Sequence, residues 1–280
     1  MNVPGTWLRK PTIWRKLSLQ TWAEPNDPTM YGVLEIDAAR LQAWLAGKTE
    51  ASGVRCTVTH AVTRAMAMLL RRHPEANVLV RGRRIWLRRD VDVFHQVAMP
   101  IPGSRMAADL SGAVVRQADT KKVPEIAREL ADMAEKVRLK TDGQMAQTRS
   151  LLMAMPGTLT RWVLKALRWL TYRWNLRMPM SPRDPFGGVM VTSVGMLGIR
   201  MAFAPIVTLS RTPMLVVVNA IEDRAVVRDG QVVARPILTL TCTADHRVID
   251  GYQASVLIRE MKPLLEAPEN LDLEPGESVL

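Results

Sequence analysis

The chain holds four histidines, and His246 stands apart from the others in the run Thr243-Ala244-Asp245-His246-Arg247-Val248-Ile249-Asp250-Gly251. It follows the alternating apolar stretch Pro236 to Thr243, so the imidazole falls at the end of a strand, among two carboxylates, a guanidinium and a glycine. Histidine is the side chain whose ordinary pKa lies nearest neutrality. A neutral ring held by a neighbouring carboxylate can therefore remove a proton as a general base. The bland alternative is a surface histidine satisfied by its charged neighbours. His60, His73 and His95 make no HxxxH or His/Cys pair of useful spacing, so no metal is expected.

Composition sets limits on the rest. An apolar content of 48% across 280 residues argues for a folded body rather than disorder. Cys56 and Cys242 sit in apolar surroundings and read as small buried hydrophobes in a reducing compartment. The start Met-Asn-Val-Pro-Gly-Thr-Trp lacks the basic and apolar regions of a signal peptide. No uncharged run approaches the roughly 18 to 20 residues that span a bilayer, and a cytoplasmic location is expected.

The net charge of +11 has two sources. Seven basic residues and no acidic one lie between Gly143 and Arg183, and a second group comprises Arg71, Arg72, Arg81, Arg83, Arg84, Arg88 and Arg89. No zinc finger, helix-turn-helix pattern or glycine-aromatic run accompanies them, so nucleic acid is not the expected partner. Coenzyme phosphates are an equal use for such charge.

The elements that must position His246 follow from periodicity. Tyr31 to Asp37 reads as a strand, Ala38 to Leu45 as a helix capped by Asp37, and Gly47 to Gly53 as a polar connection. Thr57 to Arg72 is helical with one broad apolar face. Asn77 to Val80 and Arg84 to Leu87 form a hairpin, and Val91 to Met99 is extended, with His95 exposed or facing a pocket. Thr120 to Lys140 is an amphipathic helix. In Arg161 to Leu176, Arg161, Lys165 and Arg168 fall on one face and Trp162, Trp169 and Trp174 on the other, which suits a packed lid, a subunit contact or an anionic membrane surface.

Beyond this segment the chain turns sheet-like. Strands are expected at Val189 to Val194, Met214 to Ala220, Ala225 to Val227, Gln231 to Ala234 and Pro236 to Thr243, a short extended piece at Pro205 to Leu209, and a helix at Tyr252 to Leu265. Helices in the first half and strands in the second indicate an α/β two-layer body with a mixed sheet.

The run Asp245 to Gly251, with the helix end Leu264-Leu265-Glu266-Ala267-Pro268, closely resembles the catalytic-domain signature of the 2-oxoacid dehydrogenase acyltransferases, the E2 components related in fold to chloramphenicol acetyltransferase. Val191-Thr192-Ser193-Val194-Gly195-Met196-Leu197-Gly198 is similar to the family's strand and turn carrying a hydroxyl residue. Asp184 to Gly188, Gln231 to Pro236 and Arg72 to Asn77 resemble further blocks in the same order.

The resemblance implies a chloramphenicol-acetyltransferase-like α/β two-layer sandwich with a mixed sheet, one catalytic domain over residues 1–280, and a basic, tryptophan-rich insertion around 148–180. It implies acyl transfer between a thioester (acyl-coenzyme A, acyl-carrier or acyl-lipoyl) and a thiol or other nucleophile. His246 would be the base, Thr192 the oxyanion donor, and Asp250 a catalytic support pairing with Arg9 or Arg15. Ser193 and Arg247 are the residues expected to contact substrate, and Asp245 and Arg247 also read as supporting residues that shape the turn. Thr192 also has a plain reading as a strand residue filling core space. A homotrimer or a higher assembly of trimers is implied, with His246 and Thr192 meeting across the interface, and either coenzyme A or a lipoyl-domain or acyl-carrier partner in trans. No lipoyl domain is expected within these 280 residues. Ile101 to Val115 departs from the family's pocket-lining pattern. The alternative function is a non-catalytic trimeric scaffold on the same fold.

Overall fold

Alternating apolar residues make Thr29–Asp37 a strand, β1, with Ile36 wholly buried. The computed structural model describes residues 27–81, 84–100, 108–138, 183–207 and 210–274, with scattered positions from 156 to 170. Arg9, Arg15 and most of the expected 161–176 helix lie outside these residues.

Helix α1 (Ala39–Ser52) runs a full turn and more beyond the expected end, through Gly47, and stops at Gly53 in the left-handed conformation (φ 67°). Gly47 weakens a helix by about 1 kcal/mol. Burial of Leu41 and Leu45 against the core outweighs that preference. Helix α2 (Val58–Arg72) starts at a reciprocal cap, in which the Thr57 side chain accepts from the third helical backbone N–H and the Thr57 N–H donates to Nδ1 of His60 at 3.1 Å. Every residue from 61 to 70 is buried, so this helix has no solvent face in its centre, where one apolar face was expected.

Arg64 is the costliest guest of that centre. Its guanidinium donates to the carbonyls of Leu271 (3.1 Å), Asp119 (2.5 Å) and Leu273 (2.6 Å), which ties the C-terminal segment onto α2.

The hairpin β2 (Val78–Arg81) and β3 (Arg84–Leu87) forms a small separate sheet. Next come β4 (Val93–Pro100), β5 (Ala108–Val115), which periodicity did not disclose, and α3 (Val123–Arg138). β6 (Val189–Ser193) leads to two long strands, β7 (Met214–Arg228) and β8 (Gln231–Asp245), and to α4 (Gly251–Glu266). The expected pairs of short strands in this region are thus single fifteen-residue strands joined at Asp229-Gly230. Pro236 does not interrupt β8, because it lies just past Ile237, the last partner of β1, and only its carbonyl is used, by the Ala38 N–H at 2.8 Å.

The sheet order is β1-β8-β7-β6-β4-β5, with β6 parallel to β4 and β7 and the other pairs antiparallel. This is the expected α/β two-layer sandwich with a mixed sheet. Val189, Val191, Met214, Val216, Leu238 and Leu240 meet the helices on one face. On the other, Phe94, Met190, Leu215 and Val217 make a smaller core with Phe186, Ala204 and Ile206.

His95 of β4 faces α2 and is 5% exposed, and its Nε2 lies 3.2 Å from the Thr63 hydroxyl. Because Thr63 donates to the Thr59 carbonyl at 2.7 Å, the hydroxyl accepts from the imidazole N–H. Burial, and secondarily the nearby His60, pushes the His95 pKa down to about 3. Burial and the charge of Arg55 push His60 down to about 4. Both rings are neutral in the folded protein, and their folded pKa values lie below the ordinary 6.5. Their contribution is therefore complete above about pH 6.5 and is lost as pH falls towards 4 and 3. Denaturant titrations over that range should show a fall of a few kcal/mol, and His95→Leu should flatten it. A slope unchanged in that variant would remove the ring from the account.

Candidate functional site

β8 delivers the residues singled out at its end. Asp245 N–H donates to the Pro213 carbonyl (2.9 Å) and His246 N–H to the Pro28 carbonyl (2.7 Å), so the strand end is held from both sides. The chain then folds over itself, with the N–H groups of Val248 and Ile249 both donating to the Asp245 carbonyl at 3.0 Å. Val248 and Ile249 turn into the core, which leaves His246 and Arg247 exposed.

The charges around the imidazole are already partnered. Arg247 grips Asp245 through Nε and Nη2, at 2.9 and 2.5 Å, and its backbone N–H adds a third bond at 3.0 Å. Burial opposes ionisation of Asp245, but these bonds from Arg247 outweigh it and hold the carboxyl below its usual range. Arg247 thus shapes the turn with Asp245, one of the two roles expected of it. Asp250 caps α4: its side chain accepts from the Gln253 N–H at 2.9 Å, while Gln253 Oε1 accepts from the Asp250 N–H at 3.0 Å. The expected arginine partners of Asp250, Arg9 and Arg15, lie outside the described residues.

Thr192 lies in another part of the sheet. It pairs with Val217, and Val217 pairs with Thr241, so Thr192 is level with a point five residues before His246 and two strands away. At about 3.3 Å per residue and 4.8 Å per strand, the separation within one chain is on the order of 20 Å. Alternation puts Thr192 on the face away from the helices and Ser193 on the helix face, so the two neighbouring hydroxyls point into different layers. Both are half-buried.

The turn after β6 and the segment beyond it shape the face that carries Thr192. A Cβ on Gly195 would sit 2.6 Å from the Asn219 carbonyl oxygen, so only glycine lets this turn lie against β7. Residues 199–207 then cross the sheet as a strap. Asn219 Oδ1 accepts from the Ala202 N–H (2.9 Å), Thr243 donates to the Ala204 carbonyl (2.8 Å), and Thr241 donates to the Ala202 carbonyl. The expected extended piece at Pro205 to Leu209 lies on this strap as far as Val207. The signal for it was the polar row Thr239, Thr241, Thr243 on alternate positions of an otherwise apolar strand. The strap and its turn expose Met196, which is 92% exposed, together with Leu197, Met201 and Phe203.

Among the described residues no group of three or more His, Cys, Asp or Glu could hold a metal, and no helix is long and apolar enough to cross a membrane. Trp162 and Trp169 are exposed.

The mixed sheet is backed by helices on one face and carries the histidine turn at the end of β8. The family model for the 2-oxoacid dehydrogenases acyltransferase (catalytic domain) matches residues 12–147 and 181–273. The chain belongs to this family. It is 28% identical over 240 residues to the dihydrolipoyllysine-residue acetyltransferase component of the pyruvate dehydrogenase complex of Rhizobium meliloti, covering 84% of this chain and 43% of that relative. It is 26% identical over 236 residues to the corresponding component of the acetoin cleaving system of Bacillus subtilis, covering 84% and 48%. The chain thus spans less than half the length of these relatives.

Two solved structures share the fold. One is the cubic core of the pyruvate dehydrogenase multienzyme complex (TM-score 0.65, 23% identity, 89% of this chain and 85% of that one). The other is the Azotobacter vinelandii dihydrolipoamide acetyltransferase, studied for the roles of a serine, a histidine and an asparagine in its catalytic mechanism (TM-score 0.65, 24% identity, 89% and 85%).

The cap at Asp250 makes a separable prediction. Asp250→Ala should lower stability by about 1 kcal/mol in chemical denaturation, and Asp250→Asn, which still caps, by no more than a few tenths. Equal losses in both variants would mean that charge, and not the cap, is what the helix end requires.

Proposed function

We propose that the protein transfers an acyl group between a coenzyme A, lipoyl or carrier thioester and a thiol acceptor. The observation that carries this reading is the exposed His246, fixed at the strand end between Pro28 and the Asp245–Arg247 pair. The imidazole takes the proton of the acceptor thiol, and the sulfur adds to the thioester carbonyl. The oxyanion so formed accepts a hydrogen bond from the Thr192 hydroxyl. The tetrahedral intermediate then expels the original thiolate, which takes the proton from the imidazolium, leaving a new thioester and a free thiol.

Thr192 and His246 of one chain are too far apart to share a substrate, so the reading requires two copies. The turn and strap on the sheet face that carries Thr192 expose Met196, Leu197, Met201 and Phe203, an apolar surface for a second copy. A homotrimer, as the family resemblance implies, would place His246 of one protomer against Thr192 of the next. The solved cubic core supports assembly of this fold into higher oligomers. The relatives' names favour a lipoyl-bearing partner in trans as donor. The A. vinelandii protein has its asparagine four positions after the histidine, the place of Asp250 here, which supports a positioning role for that helix cap. The unpaired thiols Cys56 and Cys242 are consistent with a cytoplasmic location.

With acyl-coenzyme A donors and a dithiol acceptor, His246→Ala should lower turnover by about 10² to 10⁴-fold. Thr192→Val should lower kcat by about 10² to 10³-fold with little change in KM. Co-assembled from equal amounts of the two variants, a cyclic trimer regains about one quarter of wild-type activity, since one site in four then has both residues intact. Absence of any recovery in verified mixed oligomers would place the two residues in separate sites. Absence of turnover in the wild type across a broad donor panel would favour the scaffold reading.

A further inference from the structure

The interior of the helix layer is not filled everywhere. Between the edge strand β1 and helix α4 lies a cavity of about 80 Å³ lined by Met30, Met66, Met214, Met261, Cys242 and the backbone of Gly32. Gly32 faces Cys242 across the β1–β8 pair, and a Cβ there would meet nothing closer than 4.0 Å, so the missing side chain leaves part of the space. The cavity reaches the surface beside Ile258 on α4, which is 39% exposed. Its inner wall includes Ala244 and Ile249, the two residues that flank the His246 turn.

The chemistry of this space is narrow. A water molecule needs two to four polar partners, and these linings present thioethers, alkyl groups and one thiol. Burial pushes the Cys242 thiol up to about 12, so it stays protonated and uncharged. Apolar cavities without polar partners remain dry and accept apolar guests; one of 150 Å³ takes benzene. Half that volume suits roughly three to four carbons of a flexible chain. Methionine thioethers adapt to such a guest by rotation about unbranched bonds.

We propose that this cavity is a binding site for the end of an unbranched aliphatic chain, entering between β1 and α4 and seated behind the His246 turn. The chain belongs to a fatty acid or to the acyl group of a thioester. Assignment to the acyl group rests on the acyl-transfer reading, whereas the site itself does not.

The test uses full-length protein with ¹³C-methyl methionine, titrated with acetyl-coenzyme A, hexanoyl-coenzyme A and free hexanoic acid. The methyl resonances of Met30, Met66, Met214 and Met261 should shift with at least one six-carbon ligand and stay in place with acetyl-coenzyme A. Shifts with hexanoic acid alone assign the site to a free aliphatic ligand, and shifts with hexanoyl-coenzyme A assign it to the acyl tail. Gly32→Leu from the strand side and Ala254→Leu from the helix side should each fill the space and abolish the shifts. No shift with either six-carbon ligand in the wild-type protein, or shifts that persist in a folded filled variant, would overturn the proposal. Because the readout is binding, a protein that shows the shifts but transfers no acyl group retains the site and loses only the acyl-transfer reading.

Discussion

The structure depends on the pairing of β8 with strands on both sides. Along Ile237 to Asp245 the strand bonds to β1, and along nearly its full length it bonds to β7. A strand so enclosed satisfies its backbone groups in the sheet, and its two faces must serve two layers at once. The even positions Leu238, Leu240 and Ala244 supply the helix-side core, and the odd positions Thr239, Thr241 and Thr243 face the strap. A slip of one residue would send the threonines into the apolar layer and shift the His246 turn relative to β1 and β7.

The same pairing sets the geometry of the site. Because β7 and β6 continue the sheet in fixed register, Thr192 is locked five residues and two strands from His246, whatever the side chains do. Rotation of side chains cannot close such a gap. The turn and strap on the face that carries Thr192 leave Met196, Leu197, Met201 and Phe203 exposed. Gly195 makes that surface by letting its turn lie against Asn219, and Asn219 in turn holds the strap.

The chemistry of the histidine turn was readable because it is local. Asp245 and Arg247 act on each other two residues apart, so the turn follows from residue types and spacing, whereas the cap that Asp250 and Gln253 make on α4 was not among the expectations. The helix over Val58–Arg72 was readable for the same reason, although its burial on all sides was not. Thr63 and Arg64 look like solvent positions until α2 is placed between the sheet, α3 and α4, where His95 and three backbone carbonyls wait for them. The extension of α1 through Gly47 and the continuity of β8 through Pro236 ran against local preference, and tertiary packing overrode both.

Sequence alone therefore determined the α/β composition, the family and the group of residues at the end of β8, since each is written in short-range pattern. The tertiary structure decided which hydroxyl faces which layer, the separation of Thr192 from His246 in one chain, the strap, the buried imidazole of His95 and the cavity behind the histidine turn. These are relations between strands and helices far apart in the chain. They arise from sheet register and from volumes left unfilled when layers pack, and neither is encoded in any local run of residues.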